Sequence, residues 1–158
     1  MKKDEPKPVK KNEEKVYGGP KPLFAIIIDD GGDRIEYANR AAALDLPLTW
    51  AIIPYRPYTK KVLDIALSKN IPALLHLPMQ AFTDKDNSRY IIGEGMSPDI
   101  VKKRTALALD SMPGVIGVNN HRGSLSTVDS SLMRPFMQVL KSRGLIFVDS
   151  NTIVGSMA

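Results

Sequence analysis

From Leu23 onward the apolar positions fall into five short runs, each cut off by polar residues or by proline. Leu23-Phe24-Ala25-Ile26-Ile27-Ile28 ends at Asp29-Asp30-Gly31-Gly32, Leu48-Thr49-Trp50-Ala51-Ile52-Ile53 at Pro54, and Ala73-Leu74-Leu75-His76-Leu77 at Pro78. Val115-Ile116-Gly117-Val118-Asn119 runs into Asn120-His121, and Leu145-Ile146-Phe147-Val148-Asp149 into Ser150. Short apolar runs of this kind predict strands of a parallel sheet, and the continuous first run predicts a strand covered on both faces. Between the runs the spacing becomes helical. Helices are predicted over about Arg34 to Leu44 with an alanine-rich face, Lys60 to Lys69 with Val62, Leu63, Ile65, Ala66 and Leu67 on one side, Ser97 to Ser111, and Ser130 to Ser142. Ser97-Pro98-Asp99 is a helix start, because a serine oxygen accepts from a free first-turn N–H and proline lacks the N–H that would be orphaned there. Gly144 is a good stop for the last helix. The connection from Gln80 to Met96 exceeds an ordinary βα loop, and loops of that length are often functional.

The order β-α-β-α-β-loop-α-β-α-β predicts an α/β fold of parallel βα repeats with right-handed crossovers. The pattern alone fits either an open doubly wound sheet or part of a barrel. Residues 1–22 show no apolar periodicity and are rich in Lys, Glu and Pro, so they predict a disordered basic linker ahead of a domain over residues 23–158.

Charge and composition narrow the function classes. The formal net charge is +5, but residues 1–21 hold seven lysines against four acidic residues and so carry +3 of it. The basic balance is largely a property of the tail, which reads as solvated linker, or as a segment touching anionic polymer or lipid; no nucleic-acid partner is expected. The 158 residues suit one domain, and the absence of cysteine excludes disulfides and thiolate metal sites. No run approaches the roughly 20 apolar residues of a membrane-spanning helix. Met1-Lys2-Lys3 is followed by charges and prolines instead of the apolar core of a signal peptide. The expectation is that the protein stays inside the cell or that an export segment is missing from this chain.

Chemistry in parallel α/β architectures gathers at the C-terminal ends of the strands. There the sequence puts Asp29-Asp30, His76, Asn119-Asn120-His121 with Ser124 just beyond, and Asp149-Ser150, with Pro54-Tyr55 able to form a wall of the same cleft. A carboxylate and two imidazoles are a sound ligand set for a catalytic divalent metal with one position open, and a second carboxylate beside the first can serve as base. His76 and His121 are the only histidines in the chain, and both fall at equivalent strand ends. Local structure offers competing roles: a cap or turn for Asp29-Asp30, a turn for Asn119-Asn120, a cap for Asp149-Ser150. Met79, Met96, Met112, Met133 and Met137 read as packing residues. No Gly-x-Gly-x-x-Gly or P-loop pattern supports a nucleotide site. A phosphoacceptor receiver domain would need Asp where His76 stands.

Four segments together resemble a known family. Ile26-Ile27-Ile28-Asp29-Asp30-Gly31-Gly32, Leu75-His76-Leu77-Pro78-Met79, Gly117-Val118-Asn119-Asn120-His121-Arg122-Gly123-Ser124 and Phe147-Val148-Asp149-Ser150-Asn151-Thr152 are similar, in that order, to the divergent polysaccharide deacetylases, relatives of the NodB-like carbohydrate esterases. Pro47 to Pro54 is similar to that family's second strand. The resemblance implies a distorted β/α barrel of about seven strands and a divalent metal, expected to be zinc. It implies Asp29 as base and Asp30, His76 and His121 as ligands, with Asn119, Asn120, Ser124, Asp149 and Ser150 as substrate-binding or supporting residues. It also implies an N-acetylated polysaccharide or peptidoglycan as partner and a periplasmic or extracellular site of action. The sequence departs from the family at Gln80, where Glu is usual, and at Arg122, where Met is usual. It also stops before two further strands, so a partial barrel of about five strands is expected. A non-catalytic glycan- or partner-binding module on a degenerate deacetylase fold is the alternative.

Overall fold

The computed structural model describes residues 23–86 and 88–157; the linker predicted over residues 1–22 lies outside the described residues. Five strands, β1 (Ile26–Gly31), β2 (Leu48–Ile52), β3 (Ala73–Met79), β4 (Gly117–Arg122) and β5 (Ile146–Val148), alternate with four helices, α1 (Ile35–Ala41), α2 (Thr59–Ser68), α3 (Pro98–Asp110) and α4 (Ser130–Ser142). All the strands are parallel and lie side by side in chain order. A doubly wound sheet would reverse its order at a switch point. Crossovers that always step the same way, with the same hand, lay their helices on one face and curl the sheet toward a barrel. Among the described residues no pairing joins β1 to β5, so the barrel is partial and open.

The core follows from the two periods. Ala73, Leu75, Leu77 and Met79 are alternate residues of β3, and they meet the buried helix positions Val62, Ala66, Val101, Leu132 and Phe136 in one cluster. Leu74 and His76, on the opposite side of the strand, are also buried. In α3 the buried residues Val101, Thr105, Ala108 and Leu109 recur at helical spacing. Ser97 caps that helix by accepting from the Ile100 N–H, and Asp129 caps α4 by accepting from the Ser131 N–H. Met79, Met96, Met112 and Met133 are buried and Met137 packs against the cluster, the packing roles expected of them.

Three features of the fold differ from the sequence expectation. Helix α1 is shorter, because after Ala41 the bonds tighten to i→i+3 turns, Ala43 to Arg40 and Leu44 to Ala41. Strand β3 runs through Pro78 to Met79. The β2 ladder ends at Ile52↔Leu75, so beyond that point β3 is paired only to β4, and a residue without an N–H is tolerated on the vacated side. The Gln80–Met96 loop fills that side: the Ile91 N–H donates to the Pro78 carbonyl at 2.9 Å, the Gln80 N–H donates to the Ile92 carbonyl at 3.0 Å, and Ile92 is fully buried.

The third difference concerns coverage. The first apolar run predicts a strand buried on both faces, but Leu23 and Phe24 are almost fully exposed, and Ile26 and Ile28 are 52% and 39% exposed. Strand β1 pairs only with β2, and no described element covers its other side. No helix among the described residues is long and apolar enough to cross a membrane.

Candidate metal centre

Two consecutive carboxylates on a regular strand would point to opposite faces. Here they do not, because β1 breaks its register against β2 between Ile28 and Gly31, and Asp30 takes a left-handed backbone conformation with φ of 61°. A bulge of this kind re-aims side chains at a strand end. It lets Asp29 and Asp30 both reach the residues of β3 and β4. Gly32 then turns the chain away at φ of 120°, a conformation that side chains resist.

Register sets the other half. His76 lies beside Asn119, and Pro78 beside His121, so His76, Asn119 and His121 share one face of adjacent strands. Asn119 ties this half to the first. Its amide donates to Asp29 Oδ1 at 2.9 Å, so its carbonyl oxygen faces His76, whose Nδ1–H donates to it at 2.9 Å. That assignment leaves the lone pair of His76 on Nε2. His76 Nε2, His121 Nδ1 and Asp30 Oδ1 then form a triangle with sides of 3.2, 3.1 and 3.2 Å. The imidazole rings meet edge to face, with centroids 4.9 Å apart.

The donor set fits a divalent metal. Ligands about 2.0–2.1 Å from a tetrahedral zinc lie about 3.3–3.4 Å apart, close to this triangle. Three acceptor atoms at such separations repel one another unless a cation or a proton lies among them. Burial holds the His121 imidazole below its ordinary value of 6.5, the neighbouring His76 adds to this, and Asp30 opposes it. A neutral imidazole is the form that ligates. Asp29 stands back from the triangle, held by Asn119 and 3.9 Å from His76 Nδ1, with its side chain 45% exposed. A carboxylate thus faces the centre without belonging to the triangle.

The remaining predicted site residues take other positions. Asn120 is on the opposite face of β4 from Asn119. It accepts from the Ser150 N–H at 2.8 Å on its side chain and from the Ser150 hydroxyl at 3.0 Å on its carbonyl, fastening the segment after β5 to β4. Ser124 accepts from the Phe82 N–H at 3.1 Å, anchoring the long loop. Asp149 accepts from the Asn151 N–H at 2.9 Å in a local turn and does not reach the triangle. Of the five expected supporting residues, only Asn119 touches the centre. Pro54 and Tyr55 line a groove shared with His121, as a cleft wall should.

Two residues that stand out in the sequence only as departures have clear structural work. Gln80 is buried; its side chain accepts from the Glu94 N–H at 2.8 Å, and its carbonyl accepts from the N–H groups of Leu125 and Ser126. Arg122, also left-handed at φ of 63°, donates to the Tyr90 hydroxyl at 2.8 Å and to Thr83 Oγ1 at 2.9 Å, and pairs with Asp84 at 2.9 Å. Desolvation pushes the Asp84 carboxyl up, but the Ala81 N–H, the Tyr90 hydroxyl and Arg122 together hold it below its ordinary value. The only sequence signal for either residue is its place at or just past the end of a strand that carries a histidine.

Comparison with known proteins agrees with this geometry. The model of the divergent polysaccharide deacetylase family matches residues 26–158. The chain is 31% identical over 135 residues to the uncharacterized protein YibQ of Escherichia coli (strain K12), covering 85% of this chain and 42% of YibQ. It is 36% identical over 138 residues to an uncharacterized protein of Haemophilus influenzae (strain ATCC 51907 / DSM 11121 / KW20 / Rd), covering 85% of this chain and 48% of the relative. The chain therefore spans about half the length of the curated relatives it matches. The fold is similar to the crystal structure of the uncharacterized protein ATU2773 from Agrobacterium tumefaciens C58, with a TM-score of 0.70, 22% identity, and coverage of 84% of this chain and 55% of that one. With a match that takes in all five strands and every residue of the triangle, the chain belongs to the divergent polysaccharide deacetylase family.

Proposed function

We propose that this protein is a metal-dependent hydrolase that removes acetyl groups from N-acetylated sugars in polysaccharide or peptidoglycan, working in the periplasm or outside the cell. The observation that carries the reading is the triangle of Asp30, His76 and His121 with Asp29 held beside it by Asn119. Residues 23–158 carry all of these groups.

A divalent ion held at this site, zinc in this reading, would supply Lewis-acid polarisation of the acetamide carbonyl and a water of lowered pKa. The chain's own residues do the rest. Asp30, His76 and His121 would hold the ion, and Asn119 fixes the tautomer of His76 so that the lone pair is on Nε2. Asp29 takes the proton of the attacking water, the role that suits a carboxylate aimed at the centre and outside the ligand set. Asn119 keeps that carboxylate oriented through its amide.

The test combines elemental analysis of the purified protein with acetate release from chitohexaose in added zinc. His76→Ala is expected to lose bound zinc. Asp29→Asn is expected to keep zinc and to slow acetate release by about 10²–10⁴-fold, the usual contribution of a general base. Turnover indifferent to Asp29→Asn and to chelation would sink the proposal. A second reading, glycan binding without turnover, draws support from one fact. The groove beside the centre, with Tyr55 on its wall, can seat a sugar ring whether or not metal is bound. Glycan binding that persists in chelator, with no acetate released under any condition, would favour it.

A further inference from the structure

Beside the metal centre lies a groove of about 530 Å³ between the end of β2 and the returning loop. His121 belongs to both: its Nδ1 is a corner of the triangle, and its ring lines the groove. The groove is cationic. Arg56, Arg89 and Arg122 line it, and no carboxylate among the described residues does. It is also aromatic, with Tyr55, 64% exposed at φ of 62°, on one wall and Tyr90 on the other. The exposed ring of Tyr55 suits the apolar face of a sugar, while Tyr90 is partly buried with the Arg122 guanidinium 5.9 Å from its ring centre.

The three arginines are not equivalent. The guanidinium of Arg122 is committed to Tyr90, Thr83 and Asp84, so it braces the wall and its charge is largely met by Asp84. Arg56 makes one 3.5 Å pair with Asp33, and both side chains are about half exposed, a contact of the kind that water screens to near nothing. Arg89 makes no ion pair or hydrogen bond among the described residues, and the groups that feel its charge are Asp86 and Tyr90. Two guanidinium forks with free donors therefore flank the approach to the centre. Such forks match the paired oxygens of carboxylate and phosphate.

We propose that this groove is an anion subsite, which takes an oxyanion substituent, carboxylate or phosphate, borne by a sugar adjoining the acetamide that faces the metal centre. The proposal deepens the deacetylase reading and rests on it for the position of the acetamide, but the preference for anionic glycan stands on the groove alone. It narrows the substrate from N-acetylated sugars in general to glycans in which acetamido and acidic groups lie on neighbouring residues. Arg56 and Arg89 are the direct contacts, Tyr55 carries the ring, and Arg122 holds Tyr90 as the opposite wall.

Calorimetric titration of the whole chain tests this with three hexasaccharides: neutral chitohexaose, an oligomer of alternating N-acetylglucosamine and glucuronate, and 6-O-phosphorylated chitohexaose. At least one acidic oligomer is expected to bind about tenfold tighter than the neutral one, the worth of one charge-assisted contact. Which of the two it is names the oxyanion. The preference is expected to shrink in high salt, to survive chelation of metal, and to vanish in Arg56→Gln/Arg89→Gln while chitohexaose affinity is unchanged. Equal binding of all three, no binding of any, or a preference that outlives the double substitution overturns the proposal. Both arginines are at the surface, so the variant folds; a matched circular dichroism spectrum checks that. Acetate release indifferent to Asp29 would instead strike at the hydrolase reading, and the two failures stay distinct.

Discussion

The middle of the sheet and its first edge are made of similar residues and behave differently. β3 is seven residues long, paired on both sides over its first half, covered by helices on one face and by its own loop near the end; six of its seven residues are buried. β1 opens on an equally apolar run, Ile26-Ile27-Ile28, yet it pairs on one side only and none of its six residues is buried. The candidate centre straddles the two. His76, Asn119 and His121 come from the well-packed middle, Asp29 and Asp30 from the bulged edge. Half of the centre is therefore held by packing and half by one ladder and one amide hydrogen bond from Asn119.

That contrast can be broken by substitution. The largest effect is expected in the middle: Phe136→Ala removes a fully buried ring that packs edge to face on Phe147 and should cost about 3–5 kcal/mol in urea denaturation. Next comes Asn119→Ala, which leaves the buried His76 Nδ1–H without its acceptor. A loss of about 1–3 kcal/mol in metal-free protein is expected, with metal affinity falling about 10–100-fold, the usual effect of removing a partner that orients a ligand. Unchanged zinc affinity in that variant would mean that Asn119 does not orient His76.

A smaller effect should appear on acidification. Burial holds His121 below the 6.5 of an unfolded histidine, so as pH falls the unfolded chain takes its proton first. The contribution is complete above about pH 6.5 and drains away below it, at a fraction of the ceiling of about 1.4 kcal/mol per pH unit, since the ring is partly solvated. Denaturation of chelated protein at pH 7.5 and at pH 5.5 measures it, and His121→Gln should flatten the slope. The smallest effect is expected at the edge, where Ile26→Ala should change stability by no more than about 0.5 kcal/mol. A loss above about 2 kcal/mol there would show that something covers β1 in solution.

The sequence made some of this plain and left some of it hidden. Element order was legible because runs such as Ala73–Leu77 and the Ser97-Pro98 start carry strong local signals. The five residues of the centre were legible as strand-end residues, although His76 and His121 sit within longer strands than Pro78 and Asn119 suggest. The bulge was not legible, since nothing in Asp29-Asp30 announces a register break. The side on which Asn120 points was hidden for a related reason: an alternating strand sends Asn119 to the centre and Asn120 away from it, and an adjacent pair of identical residues cannot reveal which is which. The exposure of β1 was misread because apolar composition reports what a strand is suited to touch, and coverage depends on which elements are present to touch it.

The register break on β1 has one more consequence. A strand held by a single ladder opens more readily than the sheet behind it. Any cation gripped by Asp30 together with His76 and His121 would couple that loose strand to the firm ones, so its binding energy would appear as protection of β1. In hydrogen exchange, the amides of residues 26–31 should slow when metal is added, while those of β3 and β4 scarcely change. The centre then works as a clasp, and the least secure part of the sheet becomes the gauge of whether it is fastened.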